Sequence, residues 1–321
     1  MGHSYGVSYL SFADASLGVW VFFVISGFLI TSLLIAEKEK RGRIDLQRFY
    51  LRRTLRIFPV FYIYIITVAV LDWAGTIDLW PSEFLLAVVY LFNFHDLLMS
   101  STSMDVWYVA HSWSLACEEQ YYLIWPLCIA LLHRKRAIQL LAAAIIVLPL
   151  LRVSLHFLAP STRGYLGKTP IMCAEPIIIG SAAALLNVRG NLSLFIQRYS
   201  AVTLPAVSCA TLFCDYVLLA HLGGGYSNTL SGAVRSTAIA ILMLWCIEYH
   251  RTFPGRFLNS PPLVFVGRIS YSLYLWQQLF LTPGKNQSWF GTFPQNWVCA
   301  FVVATLSYWL IESRFHRPRT D

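Results

Sequence analysis

The sequence predicts an all-α fold, a polytopic transmembrane helix bundle, and three observations predict it. Gly18–Ile35, GVWVFFVISGFLITSLLI, runs eighteen residues without a charge or a proline, about the length needed to cross the hydrocarbon core of a bilayer. Eight Lys and Arg follow between Lys38 and Arg56, the asymmetry that holds a loop on the cytoplasmic side. Hydrophobic residues make up 57% of the 321 residues and charged ones 12%, against about 25% charged in soluble domains. That leaves too few charges to solvate a water-facing surface.

Along the chain, apolar runs bounded by charges or turn residues read as spans near 16–36, 57–73, 113–132, 137–158, 170–187, 199–221, 230–247, 264–282 and 295–312. A tenth apolar segment, 82–98, contains Asn93, His95 and Asp96. If it crossed, the basic loop His133-Arg134-Lys135-Arg136 would fall outside. Kept on the outer side as a re-entrant or surface segment, it lets the later basic loops alternate correctly. Arg189, Arg198, Arg251, Arg256, Arg268, Arg314, Arg317 and Arg319 then lie inside, and 19 of the 24 Lys and Arg are cytoplasmic. The expectation is one membrane domain over residues 1–321 of about nine spans in the plasma (inner) membrane, N-terminus out and C-terminus cytoplasmic, with no soluble appendage.

The net charge of +8 does not point to nucleic acid, because it sits in short loops where topology accounts for it. The seven cysteines are scattered through apolar runs with no CxxC spacing. They read as small packing residues rather than a metal site or a disulfide framework, and no metal is expected.

Polar groups inside or beside the spans carry the chemistry. The loop RFYLRRTLRIFP, Arg48–Pro59, places Arg52 and Arg56 four apart, on one helical face, with Arg53 between them. It reads either as interfacial arginines that snorkel or as a phosphate-binding cluster, since guanidinium forks suit phosphate. The segment HSWSLACEEQYYLIWP, His111–Pro126, opens an apolar helix with Glu118 and Glu119. Adjacent residues cannot share a helix face, so one should point inward, and a carboxylate at membrane depth is costly and marks function. Glu118 lies four residues from Tyr122 and seven from His111. His3, the one histidine ahead of the first span, reads on its own as a solvated residue. Glu175 flanks an apolar segment, and Glu312 reads as a structural acid near Arg314 or the arginine cluster. His95 and Asp96 either line an outward cavity or mark the bilayer surface.

Five segments in order resemble the acyltransferase-3 family of integral membrane acyltransferases over nearly the whole chain: VFFVISGFLIT (21–31), FYLRRTLRIFPVFY (49–62), WSLACEEQYYLIWPL (113–127), GRISYSLYLWQQLF (267–280) and SYWLIESRF (307–315). The resemblance implies transfer of an acyl group, acetyl above all, from acyl-CoA (acetyl-CoA) to a hydroxyl of a glycan, lipid-linked sugar or related acceptor. It implies donor phosphates on Arg52, Arg53 and Arg56, and a proton taken by His3, by direct attack or through an acyl-histidine. It further implies Glu118 or Glu119 with Tyr122 as orienting groups, and substrate contacts from Trp113, Ser114, Glu175 and Tyr271. Family members carry a further first helix with an Arg, which would give ten spans; here His3 stands fifteen residues before Gly18, where the family histidine would lie. The family's Arg and Asp near Glu175 are represented by Glu175 alone. Two other readings stay open: a transporter or flippase using the same acids, and a non-catalytic membrane partner.

Overall fold

The computed structural model describes residues 9–162, 166–188, 190–198, 202–282 and 291–315, and every regular element among them is a helix. In chain order the longer ones are α1 (Tyr9–Arg41), α2 (Leu46–Trp73), α3 (Pro81–Val88), α4 (Ser112–Leu131), α5 (Arg134–Leu158), α6 (Glu175–Asn187), α7 (Asn191–Arg198), α8 (Thr203–Tyr226), α9 (Gly232–Glu248), α10 (Pro261–Phe280) and α11 (Gln295–Ser307).

The chain is a polytopic membrane protein. Five helical stretches are long and apolar enough to cross a bilayer: Leu17–Arg41, Leu46–Trp73, Arg134–Leu158, Thr203–Glu248 and Gln295–Phe315. A sixth span arises if the pair Glu175–Asn187 and Leu192–Arg198, bent by 91°, counts as one. The stretch Thr203–Glu248 covers α8 and α9. It breaks where Gly223 takes φ +56, a left-handed conformation that glycine adopts without a Cβ clash, and a π-turn at Ser227–Ser231 follows. α4 and α10 cover the expected spans 113–132 and 264–282 to within two residues but are less apolar, because they carry Glu118, Glu119, Gln120, Arg268, Gln277 and Gln278.

Two local outcomes differ in detail from the sequence reading. Arg48–Arg56, expected as a loop before a span at 57–73, forms the first turns of α2. The cause is Asp45, whose side chain accepts from the Arg48 N–H at 2.9 Å and satisfies one of the orphan donors of the helix start. The linker shrinks to 42–45, and the arginines gain fixed helical spacing. The 82–98 segment is broken. α3 ends after eight residues, about 12 Å of rise, and Tyr90 at φ +57 turns the chain into a 3₁₀ turn and a single turn at His95–Leu98. No helix there is long enough to cross.

The contacts divide the chain into two compact units, residues 1–44 with 117–255 and residues 45–116 with 256–321, so the boundary falls inside α4. In the first unit α1 and α6 cross with almost no separation. A Cβ on Gly27 would lie 2.1 Å from the Ile177 carbonyl oxygen, and one on Gly180 would lie 2.1 Å from that of Val24. Small residues allow this approach between membrane helices. Val24, Ile179, Ala183, Ile239, Ala240 and Leu244 pack around the crossing. The second unit is built on α2: Phe61, Tyr64, Ile65 and Val68 bury against Tyr108, Val109, Leu275 and Trp276. Exposed leucine, isoleucine and valine side chains on α5, such as Ile146, Val147 and Leu150, are the surface that lipid covers.

Candidate functional site

The residues singled out in the sequence fall in both units, and His3 lies outside the described residues. In the unit 45–116 with 256–321, Arg52 and Arg56 are exposed on one face of α2 and Arg53 is half-buried. The Tyr271 hydroxyl donates to the Ile57 carbonyl at 2.9 Å and ties α10 to α2 one residue past Arg56. Ser114 is buried, its Oγ 2.6 Å from the Tyr274 hydroxyl; Ser114 and Tyr274 both reach the His111 carbonyl, at 3.2 and 2.9 Å. Trp113 is half-buried beside them.

His111 itself is 7% exposed, and neither ring nitrogen has a hydrogen-bond partner. Its ring meets Tyr64 edge-on at 5.2 Å and Tyr274 at 5.5 Å. Burial pushes this imidazole, which precedes the α4 span, down to about 3, because a low-dielectric surrounding disfavours the charged form. It is neutral at physiological pH.

A polar cluster closes the same unit. Buried Glu83 accepts from the Ser103 N–H at 2.8 Å and from the Ser103 hydroxyl, and sits 3.4 Å from His95 Nε2. His95 Nδ1 lies 2.9 Å from Asp96. The histidine and both acids thus hold the 80–105 segment together, and His95 is buried rather than displayed at the bilayer surface. Glu312, also buried, accepts from the Ser272 hydroxyl.

In the unit 1–44 with 117–255, α4 is pinned to α1 and α6. The Tyr122 hydroxyl bonds Ser26, Trp125 Nε1 donates to Thr31 at 2.8 Å, and the Tyr121 hydroxyl donates to Ser181 at 2.7 Å. Ser181 in turn donates to the Gly27 carbonyl at 3.2 Å, at the α1–α6 crossing. Lys38 donates to the Ile129, Ala130 and Leu132 carbonyls at 2.6, 3.2 and 3.1 Å, satisfying the end of α4. Glu118 and Glu119 are both half-buried.

Glu175 is fully buried, and its partner was missed in the sequence. Arg152, 2% exposed on α5, donates from Nη1 to Glu175 Oε2 at 2.8 Å, from Nε to the Ile171 carbonyl at 2.7 Å and from Nη2 to the Met172 carbonyl at 3.3 Å. Glu175 Oε1 has no partner. Gly232 makes the room: a Cβ there would sit 1.8 Å from Glu175 Oε2. A second ion pair, with its acid buried and its arginine half-buried, lies on α8 and α9. Asp215 accepts from Arg235 at 2.7 and 2.8 Å and from the Tyr226 hydroxyl at 2.9 Å, and the Arg235 guanidinium lies 5.1 Å over the Trp20 ring. Each of Arg152, Asp215 and Arg235 is a lone strong charge inside an apolar run, a signal that was present in the sequence. Among the described residues, no three His, Cys, Asp or Glu are placed to hold a metal.

The family model described as "Acyltransferase domain" (acyltransferase-3) matches residues 2–312. The O-acetyltransferase OatA of Staphylococcus aureus (strain NCTC 8325 / PS 47) is 30% identical over 272 residues, 81% of this chain and 45% of that protein. The peptidoglycan O-acetyltransferase OatA of Listeria monocytogenes serovar 1/2a is 26% identical over 336 residues, 92% of this chain and 50% of that protein. The chain spans about half the length of these curated relatives. No solved structure matches it. With the match running from one end of the helical architecture to the other, the chain belongs to the acyltransferase-3 family.

Proposed function

We propose that this chain is a membrane O-acyltransferase that moves an acyl group, most simply acetyl, from cytosolic acyl-CoA to a hydroxyl of a cell-envelope glycan. The observation that carries the reading is the family match over residues 2–312, with relatives named as O-acetyltransferases, one of peptidoglycan. Both compact units belong to one acyltransferase domain in this reading, since the match runs through both. The domain crosses the plasma membrane about nine times, ten with the family's first helix, and ends in the cytoplasm. The basic ends of α1 and α2 and the loop 133–136 support that orientation.

Arg52 and Arg56, exposed four residues apart on α2, grip the donor's phosphates with Arg53; planar guanidinium groups match phosphate oxygens in paired hydrogen bonds. Tyr271, bonded to the Ile57 carbonyl, steadies α2 for that contact. His3 in its neutral form removes the acceptor hydroxyl's proton, a task for which an unperturbed imidazole, with a pKa of about 6.5, is suited near neutral pH. The oxygen attacks the thioester carbonyl; the new C–O bond forms, the C–S bond breaks, and the proton ends on the coenzyme A thiol. Glu118 or Glu119, with Tyr122, orients the reacting groups. Trp113, Ser114 and the unpaired Glu175 Oε1 contact the acceptor.

The test is label transfer from radiolabelled acetyl-CoA to a glycan acceptor by the protein in liposomes. The expected result is transfer that is lost in His3→Ala with the fold intact. Glycan flux without acyl-CoA consumption would overturn the reading in favour of a transporter.

A further inference from the structure

We propose that His111 is a binding residue for a hydroxylated ligand, contacting it through its ring nitrogens inside the unit formed by residues 45–116 and 256–321. The inference rests on the glycan-acylation reading only in naming the acceptor as the source of that hydroxyl.

A buried polar group without a partner is rare and calls for a reason. His111 presents two such atoms at 7% exposure. The hydroxyls around it are committed elsewhere: Tyr64 donates to the Tyr108 carbonyl at 2.6 Å, and Tyr274 and Ser114 reach the His111 carbonyl. A second orphan packs against the same tyrosine. Trp276 Nε1 is buried and unpaired, and its ring lies 5.6 Å from the same Tyr64 ring that His111 meets. An N–H with nothing to donate to thus recurs on two of the rings that meet Tyr64.

The chemistry of the guest follows from the chemistry of the host. A neutral imidazole offers one donor and one acceptor. Phosphate or carboxylate would satisfy only the N–H and leave the ring lone pair facing an anion. A cation would satisfy only the lone pair. A hydroxyl both gives and receives, and a glycan presents several with fixed spacing. Because burial disfavours the charged form and makes the ring a weak base, it binds the hydroxyl rather than taking its proton.

The experiment uses the full chain in liposomes and titrates a soluble N-acetylglucosamine oligosaccharide, followed by tryptophan fluorescence. His111→Phe keeps a ring in place and removes both orphan atoms, and His111→Gln keeps a donor and an acceptor. The expected result is glycan affinity weakened at least tenfold in His111→Phe, within threefold of wild type in His111→Gln, and an unchanged KM for acetyl-CoA. Wild-type glycan affinity in a folded His111→Phe would overturn the proposal and leave the ring holding only a buried water. So would the absence of any glycan-induced change in the wild type. If His111→Phe does not fold, His111→Ala is titrated with and without added imidazole: restoration by imidazole supports the contact, and full affinity without it overturns it. The readout is binding, so it separates from turnover. Glycan binding through His111 without label transfer would sink the acyltransferase reading and leave this one standing.

Discussion

Replacing Arg152 by Leu should cost much more than replacing the whole Arg152–Glu175 pair. In the wild type the guanidinium meets Glu175 Oε2 at 2.8 Å with both side chains buried. Removing the cation leaves a carboxylate inside the helix bundle with no counter-charge. Breaking a buried pair from one side costs about 3–5 kcal/mol. The Ile171 and Met172 carbonyls also lose their side-chain donor, so Arg152→Leu belongs at the upper end of that range. Glu175→Leu should cost about 3 kcal/mol, because Arg152 keeps its two carbonyl contacts. Arg152→Leu/Glu175→Leu removes both charges and should cost only about 1–2 kcal/mol, since apolar replacement of a buried pair is often close to neutral. The singles then exceed the double by several kcal/mol. The assay is reversible unfolding, or thermal midpoint, of purified protein in one fixed lipid–detergent mixture, run as a double-mutant cycle. Additive single and double costs would refute the reasoning, since they would mean that the two groups do not compensate each other. Gly232→Ala supplies an independent arm. Its Cβ falls 1.8 Å from Glu175 Oε2, so it should destabilise the wild type but be nearly harmless in a Glu175→Ala background, where the carboxylate is gone.

Other outcomes follow from the same geometry. Gly27→Ala and Gly180→Ala place a Cβ 2.1 Å from a backbone carbonyl oxygen of the facing helix, where about 3.3 Å is the normal closest carbon–oxygen contact; each should cost roughly 1–3 kcal/mol, seen as a lower thermal midpoint, and an unchanged midpoint would rule out the close crossing. His111 titrates in the unfolded chain near 6.5 but in the fold only at about 3; its folded state is therefore favoured above pH 6.5 and loses up to about 1.4 kcal/mol per pH unit as acid is added below it. His111→Phe should flatten that limb of the stability–pH curve. Arg52→Ala and Arg56→Ala should raise the KM for acetyl-CoA about tenfold each and make it less sensitive to salt, with the thermal midpoint unmoved, because both side chains are exposed.

Much of the architecture was legible because it follows from one-dimensional quantities. Span length, charge bias and the polar insertions at Asn93, His95 and Asp96 all lie along the chain; the nine apolar segments are helical over most of their described length, and five helical stretches are long and apolar enough to cross a bilayer. The helix start at Asp45 was written in the sequence as well, but a capping carboxylate three residues ahead of Arg48 is outweighed in a hydropathy reading by the charges around it. Pairings between distant residues were not legible. Arg152 and Glu175 are 23 positions apart, Asp215 and Arg235 are 20 apart, and Tyr121 and Ser181 are 60 apart. A lone charge in an apolar run declares that it needs a partner without saying which one.

The sequence by itself determined that this is a helical membrane protein, because bilayer thickness and backbone hydrogen bonding leave a chain so apolar few alternatives, and its five ordered segments carried the resemblance to the acyltransferase-3 family. The tertiary structure alone decided which polar groups are compensated and which are not. Glu118 and Glu119, conspicuous as neighbours, lie half-buried. Glu175 found Arg152 because Gly232 left room for the pair, and His111, one motif residue among many, was enclosed with nothing to bond to. Compensation depends on what three or four helices bring to one point, and that is a property of packing, which no single stretch of chain contains.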